Sequence, residues 1–282
     1  MQQLTASVWA ETSLRGANHG LVSTSDGIVL IDTPHKPSDA LALRAEIERR
    51  GQPLRYIMNT EPHGDHWTGN TFFDAPVVAH EGVRQRMIET DLVQHVARVS
   101  TFGPDEPRLL ENYAPRLPVI TFEKDLTLHV GNHTFHVIGM PGHTKYQAAV
   151  AVEEEGVVFT SDNIFCKVQA WVQEADPGDW QNALGALRAL PQDTFVPGHG
   201  PICGKDYLNE MSAFLEEWVD YVRSGVNRGM SKDEAVASLT ALTDRYPMDF
   251  GQDGMSPQVM KLNVANLYDY LTSAGIHQHS PG

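Results

Sequence analysis

The chain has 282 residues, 41% hydrophobic and 20% charged, with a formal net charge of −15. That length builds one large domain, or a domain with a helical appendage. The acidic balance argues against nucleic acid and anionic membranes as partners, and no apolar run approaches the ~18 residues needed to cross a bilayer.

In chain order, residues 5–31 read as strands. The last is the buried run Ile28-Val29-Leu30-Ile31, which follows a Ser25-Asp26-Gly27 turn and ends at Asp32. A helix is expected over 38–50, with Ser38 as its N-cap, Ala40, Leu43 and Ile47 as its apolar stripe, and Gly51 as its stop. Tyr56-Ile57-Met58 ends the next strand and leads into Asn59-Thr60-Glu61-Pro62-His63-Gly64-Asp65-His66-Trp67. A short strand over 76–79 and a helix from 81 follow. Residues 91–118 are broken by Gly103, Pro104, Pro107, Pro115 and Pro118, and read either as a lid near a site or as a surface insertion.

From Val119 the pattern is β again. Residues 126–130 and 134–138 alternate around Gly131-Asn132 as a hairpin. His129, His133 and His136 on it, and His80 before it, read as ordinary structural residues. Strands over 147–152 and 156–160, a helix over 180–190 and the segment 194–200 come next. Helices are expected over 205–223, 231–243 and 257–272. Phe214, Trp218, Tyr221 and Val222 have the spacing of a helix face packed on a core. The order is α/β, with a main domain over 1–204 and a helical extension over 205–282. Two cysteines, Cys166 and Cys203, cannot make a disulfide framework. Both read as reduced thiols, Cys166 as a buried structural one. That fits a cytoplasmic protein, as does an N-terminus without a basic-then-apolar export pattern.

Glu61, His63, Asp65 and His66 put four potential metal ligands into six residues. In an extended segment, residues two apart point to the same side, so Glu61 and His63 can grip one ion. Beyond Gly64 the chain can turn, and Asp65 and His66 can face the same cavity from a second angle. A lone His or Asp at a strand end is usually a turn residue, but burying four such groups without a cation would be costly. Imidazole plus carboxylate suits zinc, iron or manganese. Three further candidates, His143, Asp162 and His199, each follow an apolar strand. His143 and His199 both come after Pro-Gly, where the glycine is expected to let the backbone bend. Strand ends are where α/β layers build sites. Asp32, also at a strand end, reads as a carboxylate beside that site, with a simple turn residue as the alternative.

With these motifs in this order, the chain resembles the metallo-β-lactamase superfamily. In that family a His-x-His-x-Asp-His cluster, a later His, a bridging Asp and a final His bind two metals. Phe159-Thr160-Ser161-Asp162 and Pro141-Gly142-His143-Thr144 look most like the glyoxalase II and lactonase branches. The resemblance implies a four-layer αββα sandwich with a C-terminal helical extension. It assigns Glu61, His63 and His143 to a first metal, Asp65, His66 and His199 to a second, and Asp162 to both. Glu61 stands where the family has its first His. The extra carboxylate shifts the site toward manganese or iron, with zinc still the first choice, and makes a bound water less acidic.

The implied activity is hydrolysis of a small ester, lactone, amide or thioester by a hydroxide held between two divalent ions. Asp65 would orient it and pass a proton to the leaving group. Tyr146 as an oxyanion donor, Lys145 and Lys167 as grips for a carboxylate, and Trp67 and Trp171 as apolar walls are the candidate substrate contacts, with packing or plain exposure as the alternative for each. A non-haem iron oxygenase or oxidase of the same fold is a competing reading. A β-lactamase is another, disfavoured by the lack of a visible leader. A small-molecule substrate is expected, with no nucleic acid and no membrane; a homo-oligomer is left open.

Overall fold

The computed structural model describes residues 1–238, 246–252 and 254–277. Two sheets lie face to face. The first runs β1 (Gln2–Gln3), β2 (Val8–Glu11), β3 (His19–Thr24), β4 (Gly27–Ile31), β5 (Leu54–Met58), β6 (Val77–His80) and β7 (Ile120–Phe122), side by side in chain order. It is antiparallel as far as β4 and parallel from there on. The second is built from β8 (Asp125–Val130), β9 (His133–Gly139), β10 (Ala148–Val152), β11 (Val157–Phe165), β12 (Thr194–His199) and β13 (Cys203–Gly204). Only its β11–β12 pair is parallel.

The strand sequences explain the layering. Successive strand residues face opposite sides, and in β4 Val29 and Ile31 point to one apolar cluster while Ile28 and Leu30 point to another. In β10, Ala148, Val150 and Val152 join Val29 and Ile31 between the sheets, and Ala149 and Ala151 face outward. A strand covered on both faces must be apolar throughout, which is why these segments do not alternate with polar residues. Helix α1 (Pro37–Arg50) covers the outside of the first sheet through Ala40, Leu43 and Ile47. Helices α6 (Pro177–Ala189), α7 (Tyr207–Asn227) and α9 (Ser256–His277) cover the outside of the second, with Trp180, Leu184, Phe214, Trp218 and Leu267 in one cluster with Val158 and Phe195. The order is helix, sheet, sheet, helix, as the sequence implies. Truncating Trp218 to alanine is expected to cost about 3–5 kcal/mol, read from urea unfolding; a cost near zero would mean that the C-terminal helices stand apart from the core.

Three details differ from expectation. β11 does not stop at Thr160. It kinks at Ser161, whose φ is 53°, and continues to Phe165, so Asp162 lies within a strand at an irregular register. Helix α1 starts at Pro37. Ser38 does not cap it but donates to Glu106, which also accepts from the Ser38 backbone. Glu106 is 1% exposed, and its carboxylate sits at the start of α1, where helix N–H groups favour negative charge. It belongs to the segment 91–118, which forms helices α4 (Leu92–Val99) and α5 (Glu106–Leu109) and is thereby pinned to the main body. Of the helix expected over 231–243, α8 (Lys232–Ala237) is seen, and residues 239–245 lie outside the described ones. No described helix is long and apolar enough to cross a membrane.

Burial pushes His19, on β3, down to about 4 from an ordinary value of 6.5. The unfolded chain takes up this proton near pH 6.5 and the folded chain only near 4, so stability is lost as pH falls through that window. The stability difference between wild type and His19→Gln should therefore move against the wild type from about pH 7 to about pH 5, followed by urea unfolding. A difference independent of pH would contradict the neutral, buried state of this ring.

Candidate metal centre

The first ligand loop is held by its own asparagines. Asn59 Nδ2 donates to the His66 carbonyl at 2.9 Å, and Asn70 Nδ2 donates to Asn59 Oδ1 at 2.7 Å. Trp67 Nε1 donates to the Pro62 carbonyl at 2.8 Å. These bonds wrap the chain around a short helix, α2 (Gly64–Trp67), and aim Glu61, His63, Asp65 and His66 inward. The ends of the second sheet supply the rest: His143 after β9, Asp162 within β11 and His199 at the end of β12.

Two donor groups result. Glu61, His63, His143 and Asp162 each offer an atom within 4.8 Å of the others, and so do Asp65, His66 and His199. Asp162 joins the groups. Its Oδ1 is 3.2 Å from His66 Nε2, and its Oδ2 is 3.5 Å from His143 Nε2 and 3.4 Å from His199 Nε2. Asp65 Oδ2 is 3.4 Å from His199 Nε2. Glu61 is fully buried and points into the cluster, with Oε1 2.8 Å from His63 Nδ1 and 3.4 Å from His66 Nε2.

The outward nitrogen of each imidazole has a partner. His143 Nδ1 is 2.7 Å from the Trp171 carbonyl, which only accepts, so that nitrogen carries the proton and Nε2 presents a lone pair. His66 Nδ1 is 2.9 Å from Asp32, His199 Nδ1 is 2.7 Å from Asp249 and His63 Nε2 is 3.4 Å from Glu174. Asp32 adopts φ 56° at the end of β4, which lets its carboxylate also accept from the Thr60 backbone and hydroxyl. Such outward bonds fix the tautomer and orientation of metal-binding histidines.

The electrostatics ask for positive charge. Burial disfavours protonation of His66, yet Asp32, Asp162 and Glu61 together hold it well above the ordinary imidazole value. Burial likewise works against His199, and Asp162, Asp249 and Asp65 outweigh it. Burial also disfavours the ionised forms of Asp162 and Asp65, yet the same imidazoles hold both well below the carboxylate range. His66 Nε2 and Asp162 Oδ1 are buried 3.2 Å apart, and neither makes a well-aligned hydrogen bond among the described residues. Three carboxylates and four imidazoles facing one another fit a pair of divalent cations, which would replace the protons that the buried carboxylates otherwise hold on the rings.

Gly142 and Gly198, which precede His143 and His199, do not work by bending. Neither has a positive φ. A Cβ on Gly198 would lie 1.9 Å from Asp162 Oδ1, and one on Gly142 would lie 2.3 Å from Asn163 Oδ1. Both are glycine because the two ligand turns pass directly against β11.

The donors open into a cleft of about 140 Å³, also lined by Arg15, His35, Arg98, Phe102, Trp171 and Gln173. Arg98 and Phe102 come from the segment 91–118, which is therefore a wall of the cleft. The Arg15 guanidinium stacks 4.0 Å above the Phe102 ring. Of the substrate contacts expected from sequence, Trp171 lines the cleft, while Trp67, Tyr146 and Lys167 lie elsewhere. Trp67 is buried and stacks on His95. Tyr146 stacks on His80. Lys167 is exposed beside a separate cavity. None of the three lines the cleft.

The model of the metallo-beta-lactamase superfamily matches residues 13–199, which contain every one of these donors. The chain belongs to that superfamily. Membership implies divalent metal binding, and the two donor groups are where such ions fit. Among curated relatives, a hydroxyacylglutathione hydrolase of Brucella ovis is 29% identical over 206 residues, 71% of this chain. The match spans 66% of the relative's length, just under two thirds. Among solved structures, a metallo-beta-lactamase family protein from Thermus thermophilus is similar over 97% of this chain and 95% of its own, with a TM-score of 0.71 at 18% identity. A metallo-beta-lactamase from Pontibacter korlensis is similar over 76% of this chain and 97% of its own, with a TM-score of 0.61 at 22% identity.

Asp249 had no signal in the sequence. It lies 50 positions beyond His199, in the tail read only as packing, and is buried. Asp249→Ala in this superfamily member is expected to lower metal affinity or turnover about 10–100-fold, the range for losing the partner of a ligating histidine. Metal titration checks it; unchanged affinity and turnover would show that His199 needs no such support.

Proposed function

We propose that this chain is a dinuclear metal-dependent hydrolase of a small ester, lactone, amide or thioester. One observation carries the reading: the Asp162 carboxylate lies between two donor groups in one cleft, within 3.2–3.5 Å of imidazoles from both. Glu61, His63 and His143 would hold one divalent ion and Asp65, His66 and His199 the other, with Asp162 shared. Bound there, such ions supply Lewis acidity and lower the pKa of a coordinated water from about 15.7 to about 7, giving a nucleophile at neutral pH.

The chain's own residues do the rest. Asp65 lines the cleft, 3.4 Å from His199 Nε2, where its carboxylate can orient a water and relay a proton to the leaving group. Asp249, Asp32 and Trp171 keep three imidazoles aimed. Arg15 and Arg98 on the cleft wall favour a substrate that also carries a carboxylate, since guanidinium pairs with carboxylate in a fixed fork. The name of the Brucella relatives puts thioesters first among the substrates to try.

Metal analysis followed by a panel of thioesters, lactones, esters and lactams tests the proposal. The expected result is metal-dependent turnover, abolished by chelation and restored by zinc. Turnover insensitive to chelation would overturn it. Glu61 favours one competing reading, an iron oxygenase or oxidase, because a third carboxylate suits a harder metal. Protein purified with iron that consumes oxygen and hydrolyses nothing in the panel would select that reading. Strong turnover of lactams alone would select a β-lactamase.

A further inference from the structure

Cys166 and Cys203 take no part in the metal centre, yet they meet. Cys166 follows β11 and is 1% exposed; Cys203 opens β13 and is partly exposed; both are free thiols. The turn between β12 and β13 brings them together. The Cys166 backbone N–H donates to the His199 carbonyl at 2.9 Å, and the turn passes so close that a Cβ on Gly200 would lie 2.0 Å from the Cys166 oxygen. Cys203 packs against the apolar cluster that contains Cys166, and the two side chains interact. With Lys167 and Tyr207 they line a cavity of about 420 Å³, separate from the cleft at the ligands. Tyr207 Oη donates to the Phe165 carbonyl at 2.9 Å and accepts from the Lys167 N–H at 2.8 Å, which pins the backbone on both sides of Cys166.

We propose that Cys166 and Cys203 are an oxidisable dithiol that closes to an intramolecular disulfide. A thiol that only fills the core needs neither a facing sulfur nor an opening to a cavity. Hydrogen peroxide is a sufficient oxidant. One sulfur attacks an oxygen of the peroxide, the O–O bond breaks, and a sulfenic acid and one water form. The second thiol attacks that sulfur, the S–S bond forms, and the hydroxyl leaves with a proton as a second water. Two thiols are oxidised and one peroxide is reduced. The closed ring contains α6, β12 and His199. A cross-link of that kind restricts the unfolded chain more than the folded one, so the oxidised protein should unfold at a higher temperature.

The test treats the protein as purified with one equivalent of hydrogen peroxide, then alkylates and maps its peptides. The expected result is a Cys166–Cys203 cross-linked peptide within single chains that disappears on reduction with dithiothreitol. In Cys203→Ser, the expected product at Cys166 is a sulfenic acid trapped by dimedone, with no cross-link. Two thiols that both remain open to alkylation after the peroxide is consumed would overturn the proposal. So would a disulfide joining two chains.

Discussion

Asp162→Ala is expected to strip the protein of both metals and reduce turnover to background. The side chain is 3% exposed and is the acceptor that three imidazoles, those of His66, His143 and His199, face at once. Removing it leaves each donor group short, and would leave the two proposed cations less well neutralised in a buried site where charge is costly to leave unpaired. Losing an outward partner such as Asp249 leaves every donor atom in place and costs about 10–100-fold; losing a donor common to both groups should exceed that. Asp162→Asn keeps the shape and one oxygen but removes the charge, and it should fail as well. Elemental analysis and turnover of the best panel substrate measure both effects. Full metal content in either variant would remove Asp162 from the centre.

Glu61→Ala is expected to leave about one metal per chain. The Asp65, His66 and His199 group keeps all its donors in this variant, whereas the other retains only His63, His143 and its share of Asp162. Glu61 is buried, and its ion-pair contacts among the described residues are all with imidazoles of the cluster, those of His63, His66 and His143. Glu61→His should restore two ions and shift preference from manganese or iron toward zinc, since it exchanges a hard oxygen donor for an imidazole nitrogen. Unchanged stoichiometry in the alanine variant would show that the carboxylate is no ligand.

What could be read from sequence had local causes. The layers were legible because β4 and β10 must be apolar on both faces, and the donor cluster because its residues are neighbours in the chain or share a strand-end turn. What escaped depends on distant encounters. Glu174 meets His63 across 111 positions and Asp249 meets His199 across 50. Arg98 reaches the cleft from a segment whose prolines hid two short helices. Nearness in sequence also misled. Tyr146 closely follows His143 but turns away to stack on His80, and Lys167 follows β11 but takes φ 57° and leaves the cleft side. The two Pro-Gly-His turns carry their histidines into the donor groups, but their glycines make room for β11 and neither takes a positive φ.

Anomalous diffraction from a crystal grown with zinc is the most direct measurement of the central claim. Two peaks should appear in the cleft, one among Glu61, His63 and His143 and one among Asp65, His66 and His199, with Asp162 in contact with both. A single peak outside these residues, or imidazoles turned away from a common centre, would contradict it.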